Sequence, residues 1–511
     1  MVLNRRVILI CIDGLDPNLL YSMIHEKELP AFKKIVDEGV HGYTISLLPP
    51  LSPAVWISLA TGLTPLEHGV FDFIQAHLFR DSVRVIINSS KALQGTAIWD
   101  YISMAGMRSI LVNYPFTYPS YPIKGIMVAG FPSPSDKPDI TPKLSIPKDV
   151  FVKYRTEYIP TLNYVSNLNE ALSLVGEASE RMVTKTRLFS YLVKAVKNWS
   201  FAVLALTEVD RVQHMIFGKY KNALKKLYEI LDKIIERIIV FAKQTNANMI
   251  IVSDHGFEPL KSFVHITNLG LLKKYTYNPF SSVYVIRSKT LQRLLLHSPI
   301  PNYMRHLVKE FLVRHKENFV NKPIIITSNY TLKVLTKDIV PYIKNYLINY
   351  EEQGEKIFDV IFSLEDYNKY LETIHGISLN KYKLISLTNK SDLPDIILAP
   401  KTGYELTFNP SKNISIRSSK RKSGTHYSIK ATLGLFMAWG PNVVSTPRIV
   451  KVSVFDIAPS ILGLLGIAGR LKGTARKDIF EIDIVHEKEA ARRDMYLKLQ
   501  SLKRKLKERG I

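Results

Sequence analysis

The sequence predicts an α/β protein with a mainly parallel central sheet flanked by helices and with an inserted cap region. Three observations carry that prediction. Short apolar runs alternate with segments of helical periodicity, as strand-helix-strand units require. Several of those runs stop abruptly at Asp, His or Gly, which places polar side chains at strand ends. Between residues 270 and 390 the rhythm changes to mixed Lys- and Tyr-rich segments with few glycines. A chain of 511 residues has room for one large α/β domain with a sizeable insertion. Its 46% hydrophobic and 22% charged residues are those of an ordered globular protein.

The elements follow in order. VILICI (7–12) is an uninterrupted apolar run that reaches Asp13 and Gly14 at once, so it reads as a buried strand ending in a turn. Two arginines precede it, but the run is too short for a secretory leader and lacks a small-residue cleavage site. Helices are predicted around PAFKKIVDEG (30–39), in PAVWISLATG (53–62) and in AIWDYISMAG (97–106), the last followed by the strand RSILVNYP (108–115). Residues 166–198 carry apolar positions at helical spacing and lead into the strand FAVLALTE (201–208). A second long helix, over 219–244, leads into NMIIVSDHG (248–256). The core is expected to resume near PDIILAP (394–400) and to continue through LGLFMAWGP (433–441) and VSVFDIAPSILGLLGI (452–467). The predicted organisation is therefore a core over 1–270 and 390–484, an inserted cap or substrate-specificity region over 271–389, and a basic amphipathic helix over 485–511. In that last segment Met495, Leu499, Leu502 and Leu506 recur at helical spacing among many Lys and Arg. Such a stripe must be covered. Packing on the protein or on a second copy in a homodimer is favoured over an anionic membrane surface.

A formal charge of +24 favours acidic partners or substrates. No zinc finger, helix-turn-helix or aromatic-rich binding-sheet signature accompanies it, so sequence-specific nucleic-acid reading is not favoured. No apolar run approaches the roughly 18 residues a membrane helix needs. Cys11 is the only cysteine, which excludes an intramolecular disulfide and a thiolate zinc cluster; a reducing cytoplasm is the expected location.

The chemistry-bearing residues gather at strand ends. Asp13 follows the first strand, where Asp-Gly is by itself also an ordinary turn. Asp210 and His214 in TEVDRVQH are four apart, so a helical turn would face both the same way; a capping aspartate and a half-exposed histidine would look alike. Asp254 and His255 end a buried run and precede Gly256, placing two metal-compatible donors in one turn. His426 in SGTHYSIK could supply a last imidazole, or serve a structural role. Three carboxylates and three imidazoles so placed suit two Zn²⁺ or Mn²⁺ ions about 4 Å apart. Ser52, before Pro53 and an apolar helix, reads as a helix N-cap. The same position suits an attacking alkoxide, because free N–H groups and the helix dipole stabilise an anion there.

Asp13, Ser52 within LSPAVWISLATGLTPLEHG, Asp210-x-x-x-His214, Asp254-His255-Gly256 and His426, in that order, resemble the type I phosphodiesterase/nucleotide pyrophosphatase branch of the alkaline-phosphatase superfamily. AIWDYISMAG, NYPFTYPSYP, TEVDRVQH and SDHGFEPL look like its prokaryotic group of predicted phosphohydrolases or phosphomutases. The resemblance covers most of the chain outside 270–390 and the tail. It implies an alkaline-phosphatase-like fold, with Asp210, His214 and His426 on one metal and Asp13, Asp254, His255 and the Ser52 hydroxyl on the second. It further implies that Ser52 takes the phosphoryl group from a phosphorylated small molecule and that water then releases it. Phosphodiesters or nucleotide pyrophosphates are the expected substrates, with mutase or monoesterase chemistry as the alternative. Nucleotide pyrophosphatases carry a phosphoryl-binding asparagine shortly after the nucleophile helix; here HGVFDF offers Phe73. Backbone N–H groups after Ser52, or a nearby Lys or Arg, would have to serve.

Other readings fit less well. A sulfatase needs Cys/Ser-x-Pro-x-Arg, which Ser52-Pro53-Ala54-Val55-Trp56 does not match. A cofactor-independent phosphoglycerate mutase carries its extra domain after the nucleophile helix, whereas the odd region here follows His255. A non-catalytic binding protein that keeps the fold would have no reason to retain the whole ligand set.

Overall fold

The computed structural model describes residues 5–79, 82–131, 133, 139–142, 165–266, 276–277, 324–334, 338, 340–352, 355–378, 393–407, 416–417, 422–444, 446–469 and 471–482. The amphipathic segment predicted at 485–511 lies outside them.

Nine strands form the central sheet: β1 (Arg6–Ile12), β2 (Val40–Ile45), β3 (Arg108–Val112), β4 (Gly125–Val128), β5 (Ile140–Thr141), β6 (Trp199–Leu206), β7 (Ala247–Val252), β8 (Leu433–Trp439) and β9 (Arg448–Ser453). Their order across the sheet is β9-β2-β8-β7-β1-β6-β3-β4-β5. β1 pairs in parallel with both β6 and β7, and β3 with β6 and β4; β8 runs antiparallel between β2 and β7. Six of the seven β1 residues and all six of β7 are buried, as strands covered on both faces must be.

Alternate side chains of β1 feed two separate cores. Ile8, Ile10 and Ile12 join the face covered by α1 (Pro17–His25), α2 (Pro30–Glu38), α4 (Leu168–Ala195) and α6 (Lys221–Thr245). Val7, Leu9 and Cys11 join the opposite face, covered by α3 (Ser52–Thr61) and α7 (Val454–Leu464). Between β6 and α6 lies the short helix α5 (Glu208–Ile216). Thus α4 and α6 occupy the segments that the apolar spacing predicts, and α5 supplies the helical turn that faces Asp210 and His214 the same way.

A second, five-stranded sheet contains Thr276–Tyr277, Ile324–Ser328, Thr331–Val334, Ile396–Pro400 and Phe358–Ser363, in that order. PDIILAP therefore does not rejoin the main sheet, which the chain regains only at β8. Its strand is buried throughout, and a run with no polar face carries no sign of which sheet receives it. Side chains of this small sheet share a third core with Leu51, Ala54 and Val55, so the small sheet packs against the start of α3. Among the described residues, no helix is long and apolar enough to cross a membrane.

Candidate active site

The site is built where neighbouring parallel strands end. Asp13 N–H donates to Leu206 O at 3.0 Å, extending the β1–β6 ladder by one residue. Gly14 then takes φ +68°, which frees its N–H to donate to Asp254 Oδ1 at 3.1 Å, just beyond β7. A Cβ on Gly14 would lie 3.0 Å from the Asp210 Cβ, so the absence of a side chain there lets the first turn of α5 close on the Asp13 turn. Asp13, Asp210 and Asp254 come together in this way from three adjacent strands.

Ser52 differs from its sequence reading in one respect. It is the first residue of α3 rather than its cap: Leu51 occupies the cap position, and no side chain caps that helix. The Ser52 hydroxyl instead donates to Asp13 Oδ1 at 3.3 Å and lies 3.1 Å from His255 Nε2.

Each site imidazole is oriented by a backbone carbonyl. His214 Nδ1 lies 3.0 Å from Gly424 O, His255 Nδ1 2.9 Å from Gly256 O and His426 Nδ1 3.2 Å from Pro50 O. A carbonyl only accepts, so each Nδ1 carries the proton and each Nε2 turns its lone pair inward. His214 and His426 Nε2 stand 3.4 and 3.6 Å from Asp210 Oδ1; His255 Nε2 stands 3.6 Å from Asp13 Oδ1 and 3.4 Å from Asp254 Oδ2. The His255 and His426 rings stack at 3.6 Å and 6°.

Burial dominates the electrostatics. It raises the Asp13 carboxyl well above its usual range, helped by the neighbouring Asp254 charge and opposed by Arg211. Asp210 and Asp254 are pushed to about 7, again chiefly by burial, and burial drives all three imidazoles down. Asp210 Oδ1 and Asp254 Oδ2 are buried without a hydrogen-bond partner. Buried polar atoms are rarely left so. These residues fit divalent cations. Among the described residues, ligand atoms of Asp13, Asp254 and His255 lie within 4.8 Å of one another, as do those of Asp210, His255 and His426. Carboxylate oxygens and inward imidazole nitrogens are the donors Zn²⁺ and Mn²⁺ take. His214 joins the second group through Asp210.

Three supporting residues have no sequence signal that separates them from ordinary polar positions. Gln213 donates through Nε2 to Gly14 O and accepts from Tyr228 Oη at 2.7 Å, which clamps the Asp13 turn from α5. Glu258 is fully buried and accepts from Ser428 Oγ at 2.8 Å and Gly403 N at 3.2 Å, tying the His426 loop to the segment after His255. Arg211, next to Asp210, places its guanidinium carbon 4.8 Å from the centre of the Phe131 ring. Phe73 stacks at 5.6 Å on Phe116 and meets Phe131 edge-on at 5.3 Å.

Known proteins of the same fold include human ectonucleotide pyrophosphatase/phosphodiesterase 5, at 16% identity and a TM-score of 0.53 over 93% of this chain and 100% of that one. An inactive form of the murine protein, in complex with AMP, aligns at 15% identity and 0.51 over the same shares. Phosphonoacetate hydrolase from Sinorhizobium meliloti, in complex with phosphonoacetate, aligns at 15% and 0.53 over 90% of this chain and 96% of that one. No curated protein matches the chain. Residues 7–428 match the type I phosphodiesterase/nucleotide pyrophosphatase family from the first strand to just beyond His426. The chain belongs to that family, within the alkaline-phosphatase superfamily.

Proposed function

We propose that this protein is a two-metal phosphohydrolase that cleaves phosphate esters through a phosphoserine on Ser52. The observation that carries the reading is the placement of the Ser52 hydroxyl, at a helix start and within hydrogen-bond reach of both Asp13 and His255. Asp210, His214 and His426 would hold one ion, and Asp13, Asp254 and His255 the other. When bound, two ions of Zn²⁺ or Mn²⁺ would neutralise the carboxylates, act as Lewis acids towards phosphoryl oxygens and lower the pKa of hydroxyl groups they ligate. The protein's own part is positional. Pro53 has no N–H, and the N–H of Ala54 at the start of α3 is left without an intrahelical acceptor, so the dipole and that donor favour negative charge at Ser52. The Ser52 oxygen forms the new P–O bond as the ester oxygen leaves. Water then attacks the phosphoserine, returning Ser52 and releasing the phosphate product. The asymmetric carbonyl bonds of the three imidazoles keep their Nε2 atoms aimed at the same centre throughout.

Phosphodiesters and nucleotide pyrophosphates are the substrates the family favours; transfer to a second acceptor, as in a mutase, is the alternative at the same serine. The sole, buried Cys11 suits a reducing compartment. Ser52→Ala is expected to reduce turnover of phosphodiesters to below about one per cent while metal content and melting temperature hold, since only one hydroxyl is removed. A variant that keeps substantial turnover would end the nucleophile assignment.

A further inference from the structure

Three loops at the carboxyl ends of the sheet converge on one aromatic cluster. Phe73 lies beyond α3, Phe116 beyond β3 and Phe131 beyond β4, and the Phe73 ring meets both of the others. Phe116 takes φ +64°, a region bulky L-residues rarely enter, and its N–H donates to Phe131 O at 2.5 Å. Strain of that kind persists where the surroundings impose it, and it concentrates at functional sites. What the cluster supports is a cation: Arg211 lies over the Phe131 ring, one residue after Asp210, on the helix whose first turn rests against the Asp13 turn. Carboxylates from both ligand groups feel its charge, since it opposes the upward push of burial on Asp13 and on Asp210. Two other cations near the site hold carboxylates of their own, Lys185 that of Glu208 at 2.5 Å and Lys422 that of Glu405 at 2.8 Å.

We propose that Arg211 is the side chain that binds the non-bridging phosphoryl oxygens of the substrate, and that Phe73, Phe116 and Phe131 form the platform that positions it. The proposal rests on the phosphohydrolase reading. A phosphoryl group brought to Ser52 gathers charge on its non-bridging oxygens as the ester bond breaks, and a cation fixed beside the site stabilises that charge. The Phe131 ring holds the guanidinium by cation–π attraction, and a planar guanidinium offers paired N–H donors that match two oxygens of a phosphoryl group. Its charge acts where negative charge collects as the ester bond breaks. Phe73 then has a positive role at the position where the family resemblance leads one to expect an amide donor: the donor lies on α5, and the loop beyond α3 supplies part of its support.

The test uses the full chain loaded with Mn²⁺, inorganic phosphate as the binding probe, and a chromogenic phosphodiester for turnover. Arg211→Met is expected to keep wild-type metal content, to weaken phosphate binding by about tenfold or more, and to lower kcat by about a hundredfold to a thousandfold. Arg211→Lys should recover only part of the phosphate affinity, because it keeps the charge and loses the fork. Phe131→Leu should weaken phosphate binding, and Phe131→Tyr should restore it, a rescue that a mere packing defect distant from the guanidinium would not give. Wild-type phosphate affinity in Arg211→Met overturns the assignment. So does a loss of metal from that variant, which would make Arg211 a charge balance for the ligands. Equal phosphate affinity in Phe131→Leu and the wild type removes the platform. None of these results touches the nucleophile, which Ser52→Ala decides separately.

Discussion

His68 and His255 each sit against a serine, and one backbone hydrogen bond gives them opposite chemistry. His68 Nδ1 accepts from Val70 N at 3.1 Å, so its proton is on Nε2 and is donated to Ser58 Oγ at 3.1 Å; burial holds its pKa near about 3. That pair is an internal clamp. His255 donates from Nδ1 to Gly256 O and offers a lone pair beside Ser52. The tautomer, fixed by a carbonyl, is thus what suits His255 and not His68 to the proposed role of ligand. The same scale decides Gly14. An alanine there would be strained at φ +68° and would press its Cβ to within 3.1 Å of Asp210 Cα and Oδ1. Gly14→Ala is expected to cost more than about 1 kcal/mol and to weaken metal binding, because the nearest atoms that must yield belong to Asp210, a proposed ligand. Calorimetric metal titration beside a denaturant melt checks both halves; wild-type metal affinity in this variant would refute the close approach of α5 to the Asp13 turn. That Asp13, Asp210, Asp254, His214 and His255 would gather was legible in the sequence because each lies at or just after the end of an apolar run, whereas His426 lies just before one. Gln213 and Arg211 were not, since a polar residue between two others on a short helix looks the same whether it faces solvent or a turn.

At the scale of elements, the loop that carries His426 is held from outside its own sequence. Glu258 follows the short segment after His255, and its buried carboxylate receives Ser428, two residues beyond His426, and the Gly403 N–H. Gly424 reinforces the closeness: a Cβ there would lie 2.5 Å from Gln213 O on α5. Removing the carboxylate would leave two donors unmet and would loosen His426 without deleting any ligand. Glu258→Ala is therefore expected to lower metal affinity by about tenfold to a hundredfold, with one of two ions lost preferentially. Stoichiometry measured against free metal concentration distinguishes this from general unfolding, and two equally tight ions in the variant would refute the strap. Helical periodicity placed α4 and α6 within a few residues because long amphipathic patterns leave little choice of face. PDIILAP was assigned to the wrong sheet for the opposite reason, being apolar throughout. Ser52 was displaced by a single position, from cap to first turn, since Ser-Pro is compatible with both and only the location of Asp13 and His255 decides where the hydroxyl turns.

For the molecule as a whole, the proposed ligand set would couple metal binding to protonation. Without metal, Asp210 and Asp254 hold their protons up to about 7, against a usual carboxylate value of 3.8, and burial is the first cause in each. The sign follows from those directions. A raised carboxyl pKa means that the metal-free folded protein keeps a proton which the unfolded chain has already released. Its stabilising contribution is therefore complete below about 4 and is lost as pH rises through about 7. Burial acts on the three imidazoles in the other direction, lowering their pKa and so favouring the neutral form that can ligate a metal. A divalent cation must displace the carboxyl protons, so its apparent affinity climbs with pH until Asp210 and Asp254 are ionised and then levels off. The increase in melting temperature on adding Mn²⁺ should accordingly be small at pH 5.5 and several times larger at pH 8, even though the metal-free protein gains nothing from its carboxyls over that interval. Asp210→Asn removes one of the protons to be displaced and should flatten the dependence while lowering the plateau. Thermal melts with and without Mn²⁺ across the range measure the difference directly. A metal-induced shift that is independent of pH would mean that these carboxylates are ionised before the cation arrives, and that some other positive charge in the fold already offsets their burial.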